Sequence, residues 1–334
     1  MGTALEISVT APSRREALEA SEAAVSEIAR VESLLSTWKE GGPLARLNTA
    51  PAGAPVRLPS ELFELLESVF AWSDRTAGVF EPAILPLVTA WGLRTGGRIP
   101  PAVELGQALE ATGHRRFRLD SPSSAASKLQ PGAGIDEGAW GKGYALDRAA
   151  DVLRAQGVSS AVLDLGGQVL SLSGVSSDGD CVGLADPRDR SRLVGHVVLR
   201  GGSLSTSGNS ERAMVAGGRR IGHLLDPRTG QPAPDFGSVT VFAPSGLVAD
   251  LLSTAFFVLG PEKGPELSRR LRAEGVTHEV LYLVERESAL EAVASDGFVP
   301  AIEDLEVSRL WLNDIPLPAP ATQGRKKTTE GRTP

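Results

Sequence analysis

Ala249-Asp250-Leu251-Leu252-Ser253-Thr254-Ala255-Phe256-Phe257-Val258-Leu259-Gly260 is an apolar run with a carboxylate and a hydroxyl four residues apart at its head. In a helix that spacing puts Asp250 and Thr254 on one face, one turn apart. Two readings are open. The simpler one is an acidic residue near a helix N-terminus, favoured by the helix dipole. The sharper one is a pair of oxygen ligands for a hard cation such as Mg²⁺, which takes few protein ligands and shares the rest with phosphates. On either side, Val239-Thr240-Val241-Phe242 reads as a strand, Leu267 to Ala273 as helix, and Val280-Leu281-Tyr282-Leu283-Val284 as a strand buried on both faces. Upstream, strands around 160–172, 181–186 and 193–200 follow one another with no helix between them. A regular βαβ alternation is therefore missing, and the expected class is α+β rather than a doubly wound sheet.

The N-terminal half has clear helix signals. Residues 3–10 alternate as a strand does, and Ser13-Arg14-Arg15-Glu16 is a capping box. The helix it opens carries Ala24, Ile28, Val31 and Leu35 on one face. Val56 and Leu58 suggest a short strand; Pro59-Ser60 then starts a helix with Leu62, Leu65, Leu66 and Val69 inward. Residues 121–134 read as a loop, followed by a helix from about Gly143 to Gln156. Residues 1–315 are expected to form the folded domain, and 316–334, Pro-rich and polar, a disordered tail.

Composition narrows the function classes. The chain has 334 residues, 41% of them hydrophobic, enough for a sizeable core. A net charge of −7 leaves no basic footprint for nucleic acid. The single cysteine, Cys181, excludes an internal disulfide, and four histidines make a His-rich zinc site an improbable reading. No apolar run of about 18 residues suggests a membrane span. Met1 leads straight to the strand-like Leu5-Glu6-Ile7-Ser8-Val9, so no signal peptide is visible. The expected location is cytoplasmic as written, or exported if a leader precedes Met1.

Four polar, Gly-rich segments carry the chemistry. Ile135-Asp136-Glu137-Gly138-Ala139-Trp140-Gly141-Lys142-Gly143-Tyr144-Ala145-Leu146-Asp147 packs carboxylates, a lysine and three glycines ahead of a helix. Glycines let backbone approach a ligand, and helix-start N–H groups favour phosphate. It matches neither a P-loop, since Gly143 follows Lys142, nor a dinucleotide fingerprint. The alternative is a Gly-rich turn with a solvated lysine. Asp164-Leu165-Gly166-Gly167 reads as a tight turn, and Ser205-Thr206-Ser207-Gly208-Asn209 as a capped, hydroxyl-rich loop. His223-Leu224-Leu225-Asp226-Pro227-Arg228-Thr229-Gly230 places a histidine in a strand before a turn. That histidine is either structural or a proton-transfer group. Of the others, His114 lies among arginines in an expected surface turn, His196 in an apolar strand, and His278 behind a helix far from the Gly-rich segments.

In order along the chain, these segments resemble the FAD:protein FMN transferases, the ApbE family. The series is Met1-Gly2-Thr3; Ser36-Thr37-Trp38 with Leu47-Asn48; Gly78-Val79-Phe80-Glu81-Pro82 with Leu87 and Trp91-Gly92; Asp136 through Asp147; Gly166-Gly167; Thr206-Ser207-Gly208; His223 through Gly230 with Pro232; and Ala249-Asp250 through Thr254. It runs from Met1 to about residue 285. The resemblance implies mixed and antiparallel sheets flanked by helices in two lobes. It implies Mg²⁺ on the side chains of Asp250 and Thr254 and the backbone carbonyl of Ala139. It implies FAD contacts from Met1, Trp38, Val79, Phe80, Glu81, Asp136, Lys142, His223 and Leu225, Trp38 offering a stacking face. The chain departs from the family pattern at Glu81, where Asp is usual, at Glu137, where an apolar residue is usual, and at Asn209-Ser210, which replaces an Asp/Ser-Tyr pair.

The implied reaction is attack of a Thr or Ser hydroxyl of an acceptor flavoprotein on the FMN-side phosphorus of FAD, releasing AMP. His223 is the candidate general base, ahead of Asp250, whose basicity a metal would lower. The competing expectation is an FAD carrier or FAD pyrophosphatase with the same metal site. A non-catalytic interaction module would leave Asp250, Thr254 and Lys142 unexplained.

Overall fold

A computed structural model describes residues 3–38, 41–172, 178–210, 214–216, 218–287 and 289–312. Met1 and the expected tail at 316–334 lie outside the described residues. The N-terminal part runs β1 (Leu5–Thr10), α1 (Arg14–Leu35), α2 (Pro43–Thr49), β2 (Val56–Arg57), α3 (Ser60–Arg75), α4 (Leu85–Ala90), α5 (Ala102–Ala111), β3 (Phe117–Asp120), β4 (Ala125–Lys128) and α6 (Gly141–Ala155). A strand-rich stretch follows: β5 (Ser160–Leu165), β6 (Gln168–Ser171), β7 (Asp180–Ala185), β8 (Leu193–Leu199), β9 (Gly202–Gly208), β10 (Met214–Ala216), β11 (Arg219–Ile221), β12 (Leu225–Asp226), β13 (Gln231–Pro232) and β14 (Gly237–Ala243). The chain then forms α7 (Gly246–Ala273), β15 (Glu279–Arg286), β16 (Ala289–Ala294), β17 (Ile302–Glu303) and β18 (Arg309–Leu312).

Among the described residues, eight strands form one sheet in the order β1-β5-β6-β9-β14-β15-β16-β18. Neighbours in it are antiparallel except the parallel pair β16 and β18. The fold is α+β. β15 explains its layering: Val280, Tyr282 and Val284 enter one hydrophobic cluster, Leu281 and Leu283 the other. Alternate side chains point to opposite faces, so a strand covered on both sides is continuously apolar. Helices α1, α6 and α7 cover the first face, and α3 packs into the same hydrophobic cluster. The second is covered through Leu184, Val194, Val197 and Leu199 of a smaller sheet, β17-β8-β7.

α1 begins where the capping box predicts: Ser13 accepts from the Glu16 N–H and its hydroxyl bonds the Glu16 carboxylate. Its inward Ala24, Ile28, Val31 and Leu35 are buried, each large residue stabilising the fold by about 2 kcal/mol. The Leu267–Ala273 helix continues the Asp250 helix across a break at Gly260 (φ 71°, ψ 175°), followed directly by Pro261. Glycine accepts the left-handed break, and proline suits the first position of the second segment.

Two expectations are corrected. Residues 121–134 are not all loop: Ala125-Ala126-Ser127-Lys128 is the central strand of the sheet β2-β4-β3, and all four residues are buried. Its small side chains have weak strand preference, and tertiary pairing on both edges overrides it. Ser205-Thr206-Ser207 is likewise not a loop but part of β9, between β6 and β14 in the main sheet. Its hydroxyls find partners there, Thr206 on Thr240 at 2.8 Å and Ser207 on Ser253 at 2.9 Å.

Candidate functional site

The site is built where the starts of α6 and α7 meet. A β-carbon added to Gly143 would lie 2.1 Å from the carbonyl oxygen of Gly246, so only glycine permits this approach. Asp147 clamps the junction. Its carboxylate accepts from the N–H groups of Gly246 and Leu247 at 2.6 and 2.9 Å and from the Ser245 hydroxyl at 2.7 Å. Burial pushes the Asp147 carboxyl up, and these donors pull it back. Gln168 donates to the Gly246 carbonyl from the sheet side at 2.8 Å.

Asp250 lies in this junction, with Oδ2 accepting from the Gly143 N–H at 3.0 Å. It is buried, and burial pushes its carboxyl up while the nearby charge of Lys142 opposes that shift. Thr254 follows one turn later, half-buried, and Ala139 is half-buried in the turn before α6. Ser253 donates to the Asp250 carbonyl at 2.8 Å and is met by Ser205 and Ser207 at 3.2 and 2.9 Å, fixing this turn to β9. Among the described residues no three His, Cys, Asp or Glu side chains cluster as a metal cage.

The loop before α6 is held from several sides. Asn48 bonds both the N–H and the carbonyl of Ile135 at 2.8 Å, acting as a strand edge would. The Asp136 N–H donates to the Pro82 carbonyl at 2.8 Å, and its carboxylate accepts from the Gly138 N–H at 2.8 Å. Glu137 accepts from the Thr37 hydroxyl at 2.6 Å. Burial first, then the neighbouring charge of Asp136, push the Glu137 carboxyl up. Arg94 donates to the Asp136 carboxylate, to the Thr37 hydroxyl at 2.6 Å and to the Thr37 carbonyl at 3.2 Å. Its guanidinium lies over the Trp38 ring at 4.5 Å. Trp38 is nevertheless 65% exposed.

Val79 and Phe80 are buried in the main core. The Glu81 carboxylate is buried too, bonded to Ser73 at 2.8 Å, the Ala83 N–H at 2.9 Å and His114 Nδ1 at 2.9 Å. His114 is therefore not a surface-turn residue. The bond to Glu81 raises its basicity against the cost of burial. His278 is buried, bonded to Ser268 and the Val276 carbonyl, and burial lowers it to about 4.

His223 is in a bend between β11 and β12 rather than in a strand. Ile221 and Leu225, on either side of it, are buried against α4 and α5, and the Trp91 indole donates to the Gly230 carbonyl at 2.7 Å. These anchors fix both flanks of the bend that carries the histidine. Gly222 packs under the Asn209 carboxamide, and Asn209 follows the β9 segment whose Ser207 meets Ser253. A cavity of about 440 Å³ opens beside it, lined in part by Trp91, Asn209, Gly222 and Pro232. The Gly166-Gly167 turn joins β5 to β6 with both φ positive, 60° and 82°. Its Gly166 sits against Thr3, the first described residue.

The structure thus puts Asp136, Ala139 and Lys142 at the start of α6 and Asp250 and Thr254 in the first turns of α7, ties Trp38 to Asp136 through Arg94, and packs Gly222, next to His223, against Asn209 just past β9. Sequence reasoning passed over Arg94, and it gave Asn48 no role beyond its place in the motif series. A charged residue directly after the apolar Trp91-Gly92-Leu93 was the available signal for the first.

An α+β protein whose two glycine-opened helix starts meet around a buried carboxylate is the class these features define. The model of the ApbE family matches residues 1–277, and the chain belongs to that family. It is 35% identical over 240 residues to an FAD:protein FMN transferase of Klebsiella pneumoniae (strain 342), covering 71% of this chain and 74% of that one. It is 33% identical over 255 residues to one of Treponema pallidum (strain Nichols), covering 71% and 70%. The crystal structure of the ApbE protein from Thermotoga maritima superposes with a TM-score of 0.81 at 28% identity, covering 90% of this chain and 96% of that one.

Proposed function

We propose that this chain is a Mg²⁺-dependent FAD:protein FMN transferase acting on a Thr or Ser hydroxyl of an acceptor flavoprotein. The observation that carries the reading is Asp250, a buried carboxylate held by the Gly143 N–H at the junction of two helix starts. A desolvated carboxylate with a penalised charge favours a nearby cation. With the Thr254 hydroxyl and the Ala139 carbonyl it makes an all-oxygen donor set, which fits a hard ion. Bound there, Mg²⁺ would neutralise charge on the FAD pyrophosphate.

The residues of the chain divide the remaining work. Lys142, at the start of α6, brings a positive charge for the phosphates. Trp38 presents an indole to the isoalloxazine, and Asp136 is fixed beside it. The acceptor oxygen forms a bond to the FMN-side phosphorus as the P–O–P anhydride bond breaks, and AMP leaves with the bridging oxygen. His223 takes the hydroxyl proton. Incubating the protein with FAD, Mg²⁺ and a threonine-bearing acceptor domain tests this. Flavin fluorescence that stays with the denatured acceptor, and disappears when EDTA is present, is expected. FAD cleaved without labelling of the acceptor would instead indicate a pyrophosphatase.

A further inference from the structure

We propose that Arg94 is a positioning residue for the flavin: it backs one face of the Trp38 indole while tying Thr37 to Asp136, which leaves the opposite indole face for the isoalloxazine. The inference rests on the transferase reading and names a residue that reading does not use. Its geometry is specific. Nη2 reaches both the Thr37 hydroxyl and the Asp136 carboxylate, Nη1 reaches the Thr37 carbonyl, and the guanidinium carbon lies over the indole, 4.5 Å from its centroid. Only a planar, forked cation makes these contacts together.

The arrangement also accounts for Glu137. Asp136 and Glu137 are adjacent, and both side chains are about 14% exposed. Arg94 lies between them, bonded to the first and 3.9 Å from the second. Thr37 donates to Glu137 while accepting from Arg94, so the segment carrying Trp38 is pinned to the loop that opens α6. An indole 65% exposed would otherwise be free to sample several rotamers, at an entropic cost when a ring stacks on it.

FAD titration by flavin fluorescence into wild type, R94Q, W38A and R94Q/W38A tests this. Each single variant should raise Kd by about 3–10-fold, the range of a lost stacking or cation–π contact. The double variant should be no more than about twofold worse than the poorer single, because Arg94 acts through Trp38. Multiplying effects, or an R94Q Kd equal to wild type, would overturn the assignment. If R94Q does not fold, the R94K/W38A cycle reads the same coupling, since lysine keeps a cation between the carboxylates. Wild-type protein that fails to bind FAD would overturn the transferase reading itself; FAD binding with independent effects would remove Arg94 alone.

Discussion

Gly143 and Gly246 touch backbone to backbone, and the contact leaves no room for a β-carbon on either residue. The site depends on that approach, because the same Gly143 N–H holds Asp250. Gly143→Ala should therefore destabilise the protein by about 2–3 kcal/mol, although alanine gains about 1 kcal/mol in helix preference. The obstacle is a backbone carbonyl at 2.1 Å, which cannot turn aside as a side chain would. Urea unfolding of the variant checks this; unchanged stability would mean the two helices slide apart freely.

Asp250→Asn should keep the fold, because the amide oxygen can still accept from Gly143 and the burial cost of a charge is removed. Transfer should fall by about 10²-fold or more and lose its dependence on added Mg²⁺. Steady-state rates across a magnesium titration are the measurement. A variant that follows the wild-type magnesium curve would remove Asp250 from the metal site.

His223→Ala should lower the single-turnover transfer rate by about 10²–10⁴ with little change in FAD affinity. The anchors at Ile221, Leu225 and Gly230 are outside the substituted side chain, so the bend should persist. A near-wild-type rate would send the proton elsewhere, to a carboxylate or to solvent.

His278 sets an acid limit on stability. Its Nδ1 faces the Val276 carbonyl and so donates, leaving Nε2 to accept from Ser268, which suits the neutral ring. Its folded pKa is lowered to about 4, against about 6.5 unfolded. The unfolded state therefore takes up the proton first, and stability present above pH 6.5 is lost as pH falls toward 4. The loss is about 2 kcal/mol between pH 7 and 4.5. Urea unfolding at the two pH values should show a loss about 2 kcal/mol larger in wild type than in His278→Gln; equal losses in both would place the acid sensitivity elsewhere.

How legible these features were follows from their physics. α1 and α3 could be read because one face repeats at helical spacing and a cap or proline marks the start. The junction residues could be read as a set, since glycines and carboxylates at a helix start are unusual together. β4 and β9 could not, because their Ala- and Ser-rich runs lack an apolar alternation, and β2 and β14, which pair with them, are distant in sequence. The His114–Glu81 and Arg94–Asp136 pairs span 33 and 42 residues, and no local pattern announces them.

The most direct test of the central claim is the intact mass of a threonine-bearing acceptor domain after reaction with FAD and Mg²⁺, taken with the AMP released. The account predicts an acceptor heavier by one FMN less one water, and one AMP per labelled acceptor. Free FMN and AMP in equal amounts with an unchanged acceptor mass would contradict it.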